Sequence, residues 1–193
     1  MLPLVLLAAA ARAQTILVLG DSLSAAYNMD VGSGWTALLQ QRLNRQKPSY
    51  RVVNASISGD TTAGGVARLS KLLAAHRPAV VIVGLGGNDG LRGLPPEETK
   101  ENLADIVSRS KAASAKVLLL GVRLPPNYGT RYNERFRQVY RAVATEQNAP
   151  LVPFVLDGVD DNPSLMQPDG IHPNADAQAR ILENVWERLR PLL

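Results

Sequence analysis

The sequence predicts an α/β fold: a three-layer α/β/α sandwich with a five-stranded parallel sheet between two layers of helices. Three observations lead there. Short apolar runs of the kind buried inside a parallel sheet occur at residues 16–19, 50–53, 79–85, 116–122 and 150–155. Stretches with apolar residues at helical spacing alternate with them, which implies right-handed crossovers between parallel strands. The 193 residues contain no repeat or linker and fit one domain.

The first run, Ile16 to Leu19, ends at Gly20, and Asp21 and Ser22 follow. A permissive backbone position, a local acceptor and a hydroxyl are thereby set at the carboxyl end of a strand. Trp35, Leu38, Leu39 and Leu43 then predict an amphipathic helix ending near Pro48. Tyr50, Val52 and Val53 lead into the polar loop of residues 54–60, which contains Gly59. Val66, Leu69, Leu72 and Leu73 mark a second helix, closed by Arg77 and Pro78. The run 79–85 is the central strand and leaves through the loop GGNDG at residues 86–90, which holds Asn88. A third helix follows Pro95 and Pro96, with Glu97 and Glu98 at the positive end of its dipole and Leu103, Ile106 and Val107 on its apolar face. Strand 116–122, the loop RLPPNYGT, a helix carrying Tyr132, Phe136, Val139, Tyr140 and Val143, and strand 150–155 complete the alternation. A last loop bears Asp169 and His172 before a helix striped by Ile181, Leu182, Val185, Trp186 and Leu189.

Apolar residues make up 46% and charged residues 20%, a globular balance. The net charge of +4 is dispersed, with no basic stripe or interleaved aromatics, so no nucleic-acid partner is expected. The absence of cysteine excludes disulfides, thiol nucleophiles and zinc–thiolate sites. Two histidines, His76 and His172, leave no histidine-rich metal site, and no metal is expected. Residues 1–13, MLPLVLLAAAARA, have signal-peptide length and close on Ala11-Arg12-Ala13, although no basic segment precedes Leu2. Crossing a bilayer takes about 20 apolar residues, so this run is expected to be a removed leader rather than an anchor. Residues 14–193 then form a single periplasmic or secreted domain without stable membrane insertion.

Every loop that directly follows a strand emerges at one edge of a parallel sheet, so Ser22, Gly59, Asn88 and the Asp169/His172 segment converge there. His76 precedes the third strand and falls at the opposite edge. A carboxylate beside an imidazole fixes its tautomer, and a serine within reach of that imidazole becomes a nucleophile. The N–H groups of Ser22 and Gly59 and the amide of Asn88 are donors of the kind that hold an oxyanion. Taken singly, Ser22 equally suits a helix N-cap, and PDGIHP a turn with a solvated histidine. Leu91, Leu94, Leu124, Pro125, Pro126, Tyr128, Leu165 and Met166 lie in loops at the same edge and are candidates to cover an apolar substrate.

GDSLS at residues 20–24, Gly59 in NASISGD, Asn88 in GGND, and Asp169 with His172 in DGIH resemble, in order, the four blocks of the SGNH (GDSL) hydrolase family. The resemblance spans the chain from Thr15 onward. It implies the flavodoxin-like SGNH hydrolase fold, with Ser22 as nucleophile, His172 as base and Asp169 as its orienter. Ser22, Gly59 and Asn88 would form the oxyanion hole. It also implies monomeric hydrolysis of acyl esters, thioesters or lysophospholipids without a cofactor, and a mobile loop over residues 91–96 that adjusts to acyl length. Ser22 is not in a G-x-S-x-G elbow, which argues against an α/β-hydrolase. Two alternatives are a carbohydrate O-acetylesterase, separated by activity on acetylated sugars, and a non-enzymatic flavodoxin-like domain, separated by flavin absorbance. The latter has no G-x-x-x-x-G-K-[ST] phosphate loop to support it.

Overall fold

The apolar runs form parallel strands because their side chains can be buried on both faces. The computed structural model describes residues 13–193; the leader expected over residues 1–13 lies outside them but for Ala13. Among the described residues the strands are β1 (Gln14–Gly20), β2 (Tyr50–Asn54), β3 (Val80–Gly84), β4 (Lys116–Leu120) and β5 (Leu151–Val152). They pair in the order β2-β1-β3-β4-β5, all parallel. Ile16 to Leu19 of β1 and Val80 to Val83 of β3 are almost wholly excluded from solvent, as central strands require. Edge strand β2 is only partly buried.

Helices α1 (Trp35–Gln46) and α6 (Gln178–Leu189) pack together in one layer, and α2 (Thr62–His76), α4 (Pro96–Ala112) and α5 (Thr130–Glu146) in the other. Trp35, Leu39 and Leu43 of α1, Leu103, Ile106 and Val107 of α4, and Phe136 of α5 supply their buried faces. Among the described residues no helix is long and apolar enough to cross a membrane.

The structure departs from expectation in two places that bear on the site. The strand expected over residues 150–155 is reduced to Leu151 and Val152, because the pairing bulges beyond them: Val155 N–H, in place of Phe154 N–H, bonds the Gly121 carbonyl. Pairing persists on either side: Gly121 N–H donates to Val152 O at 2.8 Å and Val155 N–H donates to Gly121 O at 2.9 Å. The loop expected at 86–90 instead winds into a one-turn helix, α3 (Gly87–Leu91). Its start depends on Gly86, whose φ of +112° favours glycine and whose Cβ, if present, would lie 2.3 Å from the Tyr140 hydroxyl.

Candidate active site

The sheet edge at the carboxyl ends of the strands carries the site, and the reversal of strand order between β1 and β3 opens a crevice there. Ser22 leaves β1 in a tight turn. Ser24 and Ala25 N–H donate to Asp21 O at 3.1 and 2.9 Å, and Leu23 N–H donates to Asp21 Oδ1 at 3.1 Å. The turn does not run into a helix, since α1 begins only at Trp35 with Gly34 as its cap, so Ser22 is not an N-cap. A side chain on Gly20 would meet the Ser56 and Ser24 hydroxyls at 2.8 and 2.9 Å; glycine lets the loops close over the strand end.

Asp169 and His172 sit in a loop closed on itself. Gln167 N–H donates to His172 O at 2.7 Å, Gly170 N–H donates to Gln167 O at 3.0 Å, and Gly170 takes φ +66°. Asp169 Oδ1 accepts the N–H groups of Ile171 and His172, both at 2.9 Å, while Oδ2 lies 2.7 Å from His172 Nδ1. His172 Nε2 lies 2.9 Å from Ser22 Oγ. An ionised carboxylate only accepts, so the ring proton belongs on Nδ1 and Nε2 is left to accept the serine hydroxyl. Partial burial alone would raise the Asp169 carboxyl; the two N–H groups and the imidazole outweigh it and hold the pKa at about 2. The Tyr27 ring lies against the imidazole, centroid to centroid 4.5 Å. His76 ends α2 and lies at the other edge of the sheet.

The three candidate oxyanion donors come from three loops. Among the described residues the N–H groups of Ser22 and Gly59 have no protein acceptor. Gly59 takes φ +80°, which turns its peptide against the local trend, and its carbonyl accepts from Arg92 Nη2 at 2.8 Å. Asn88 Nδ2 donates to Asp60 O at 2.9 Å and reaches Asp21 Oδ2 at 3.4 Å. Asp89, the next residue, is buried and accepts from Thr62 N–H at 2.9 Å and from the Thr62 hydroxyl, tying α3 to the start of α2. Asp21 is buried beneath the serine turn. Desolvation raises its pKa to about 7 against the Leu23 N–H, with the negative charges of Asp60 and Asp89 pushing the same way. Among the described residues no group of three or more acidic or histidine side chains is placed to hold a metal ion.

A cavity of about 410 Å³ opens beside Ser22 and His172. Leu91, Leu124, Pro125, Pro126 and Met166 line it as expected, but Leu94, Tyr128 and Leu165 do not. Tyr128 donates its hydroxyl to Leu91 O at 2.9 Å and Tyr132 donates to Leu94 O at 2.7 Å, so these groups hold the loop's backbone and stand outside the cavity lining. Val122, Phe154 and Leu156 also line the cavity, although residues 116–122 and 150–155 read as strand. Those strands end early, at Leu120 and Val152, beside Gly121 and Pro153, and the residues beyond turn into the cavity wall. Gly121 and Pro153 were the signal for this. A Cβ on Gly121 would lie 2.4 Å from Pro153 O.

Residues 18–180 match the GDSL-like lipase/acylhydrolase family. The chain belongs to that family. Esterase TesA of Pseudomonas aeruginosa is 58% identical over 192 residues, covering 100% of this chain and 96% of that protein. Thioesterase 1/protease 1/lysophospholipase L1 of Escherichia coli (strain K12) is 51% identical over 184 residues, covering 95% of this chain and 87% of its own. The crystal structure of TesA, 58% identical, covers 93% of this chain and 100% of that chain with a TM-score of 0.91. The chain is therefore an ester-hydrolysing enzyme on an SGNH hydrolase fold, not a flavodoxin-like binding domain.

Two side chains of this acylhydrolase escaped the sequence reading although they hold the site together. Gln167 joins the two halves of the relay: its Nε2 donates to Tyr27 O and Pro173 O, both at 3.0 Å, and its Oε1 accepts from Asn28 Nδ2 at 3.3 Å. Gln178 is wholly buried, accepting from Trp35 N–H at 3.0 Å and donating to Asn174 O at 3.0 Å, and so joins α1 to the segment after His172. No local pattern marks either residue, because their partners are mostly main-chain groups brought near by the fold.

Proposed function

We propose that the chain hydrolyses acyl esters and thioesters, acyl-CoA and lysophospholipids among them, through an acyl-enzyme on Ser22. The observation that carries this reading is the hydrogen-bonded relay from Asp169 to His172 to Ser22, at 2.7 and 2.9 Å. As Ser22 Oγ bonds to the carbonyl carbon, its proton passes to His172 Nε2, and Asp169 stabilises the imidazolium that forms. The carbonyl oxygen becomes an oxyanion facing the N–H groups of Ser22 and Gly59 and the amide of Asn88. The tetrahedral centre then collapses: the bond to the alcohol or thiol breaks and His172 returns the proton to the leaving group. Water, deprotonated by His172, releases the acid and restores Ser22.

The apolar wall formed by Leu91, Val122, Leu124, Phe154, Leu156 and Met166 suits a hydrocarbon chain better than a sugar. The names of the two relatives reported above agree with ester and thioester substrates. The test is a panel of acyl esters and acyl-CoA thioesters over chain lengths, run beside Ser22→Ala. Loss of turnover on every substrate is expected; survival of any one activity would separate it from this centre. Asn88→Ala is expected to cost about a hundredfold to a thousandfold in kcat, as loss of one oxyanion donor does elsewhere. The apolar residues 1–13 further support export into the periplasm or medium. Amino-terminal sequencing of the exported protein is expected to begin at Gln14; retention of residues 1–13 would overturn the leader.

A further inference from the structure

Arg68 lies inside α2, away from the relay, yet its guanidinium meets the ends of two strands. Nη2 donates to Gly20 O at 3.3 Å, just ahead of Asp21 and Ser22. Nη1 donates to Ala55 O, just beyond β2. Nε donates to Asp60 Oδ2 at 2.8 Å, beside Gly59. The other oxygen of that carboxylate accepts from Thr61 N–H at 3.0 Å, and Gly64 leaves room for it, since a Cβ there would lie 1.9 Å from Asp60 Oδ1. Asp60 O in turn accepts from Asn88 Nδ2. One cation thus touches, directly or through Asp60, all three segments that carry the candidate oxyanion donors.

We propose that Arg68 is the positioning residue of this oxyanion hole, fixing the Gly59 N–H and the Asn88 amide relative to Ser22; the proposal rests on the role given to those donors above. The pair is shielded, with side-chain exposures of 20% for Arg68 and 12% for Asp60, so it is less screened than a surface ion pair. The fork geometry matters as much as the charge. The three acceptors lie on two segments, the end of β1 and both ends of the loop after β2, and a planar guanidinium reaches all three in one rotamer, whereas an ammonium on a lysine stem does not. Preorganised donors lose their effect when displaced by a fraction of an ångström, because the transition state and not the bound ester demands the exact distance. Loss of Arg68 is therefore expected in kcat, with KM left nearly alone.

The experiment measures kcat and KM on a soluble short-chain p-nitrophenyl ester, with thermal unfolding recorded for each variant. Arg68→Met is expected to lower kcat about tenfold to a hundredfold at a KM within about threefold, and Arg68→Lys to recover part of it. Wild-type kcat in folded Arg68→Met, whatever the loss of Tm, or a change confined to KM, overturns the proposal. Should Arg68→Met not fold, Asp60→Asn carries the test: its single acceptor oxygen cannot serve both Thr61 N–H and Arg68 Nε, so the guanidinium's anchor is weakened while Asp60 O still accepts from Asn88 Nδ2. A kcat loss of about fivefold or more is expected there, and wild-type kcat overturns the proposal. Asn88→Ala in the same assay separates the two levels. Full turnover in that variant removes the oxyanion hole and Arg68's role with it. Loss in Asn88→Ala without loss in the Arg68 variants removes the positioning role alone.

Discussion

Two carboxylates belong to the site, Asp169 behind the imidazole and Asp21 beneath the serine turn, and their surroundings drive them in opposite directions. Asp169 is partly exposed and accepts three hydrogen bonds, so it stays ionised down to about pH 2. Its contribution to stability is present above the ordinary carboxylate pKa and is lost as pH falls toward 2. Replacing it by Asn keeps the shape but offers the ring an amide that can donate, which invites the wrong tautomer. Asp169→Asn is expected to lower kcat about a thousandfold or more, with the acyl-ester assay as its check. Asp21 is buried and raised to about 7, so the native state holds a proton that the unfolded state releases near pH 4. Stability from this group is fully present below the unfolded pKa and is lost as pH rises from 4 to 7. Three pKa units correspond to roughly 4 kcal/mol at most. Asp21→Asn, which imitates the protonated acid, is expected to flatten the pH dependence of urea unfolding over that range. An unchanged slope would place the proton elsewhere.

At the scale of elements, what was legible is what local chemistry dictates. Runs such as Ile16 to Leu19 and Val80 to Val83 have no polar face to show to water, so they announce buried strands. Ser22, Gly59, Asn88, Asp169 and His172 were legible because each follows a strand in a segment rich in turn residues. The ends of elements were harder to read: Val122 and Phe154 continue an apolar run, but the regular ladder stops at Leu120 and Val152, where the pairing of Gly121 skips Pro153 and Phe154. The three glycines of GGNDG disfavour helix in isolation and so predict a loop where α3 forms; its end rests on Leu94 N–H donating to Asp89 O at 3.0 Å and on the tertiary hold of Asp89 on Thr62. Gly86 tests this dependence. The Tyr140 hydroxyl donates to Leu85 O at 2.9 Å and occupies the place where a Cβ would go. Gly86→Ala is expected to cost about 2–4 kcal/mol through positive φ and overlap together. In a Tyr140→Phe background, urea unfolding should show a smaller penalty for the same change, because the overlapping hydroxyl is gone. Equal penalties in the two backgrounds would mean that backbone strain, not the hydroxyl, dominates.

Across the whole molecule, the sheet order decides which loops meet. The chain moves outward from β1 to β2, then returns past β1 to β3, and the crossovers on either side leave Ser22 and Asn88 facing one another over the gap. The same order puts the loops after β4 and β5 next to α3, so one wall of the cavity comes from Val122 to Pro126, another from Phe154 and Leu156, and the lip from Leu91. An apolar cavity bounded by three loops has a finite depth, and each methylene it covers is worth about 0.8 kcal/mol, close to fourfold in kcat/KM. Leu91 is the place to shorten it. Its backbone is held by the Tyr128 hydroxyl, so a larger side chain fills space without moving the loop. Leu91→Trp is expected to leave kcat/KM for an acetyl ester within about threefold of wild type while lowering that for an octanoyl ester about tenfold to fiftyfold, as removal of two or three buried methylenes would. The measurement is the ratio of the two specificity constants. A uniform fall on both esters would mean that the substituted side chain disturbs Asn88, and that the hydrocarbon runs along some other wall.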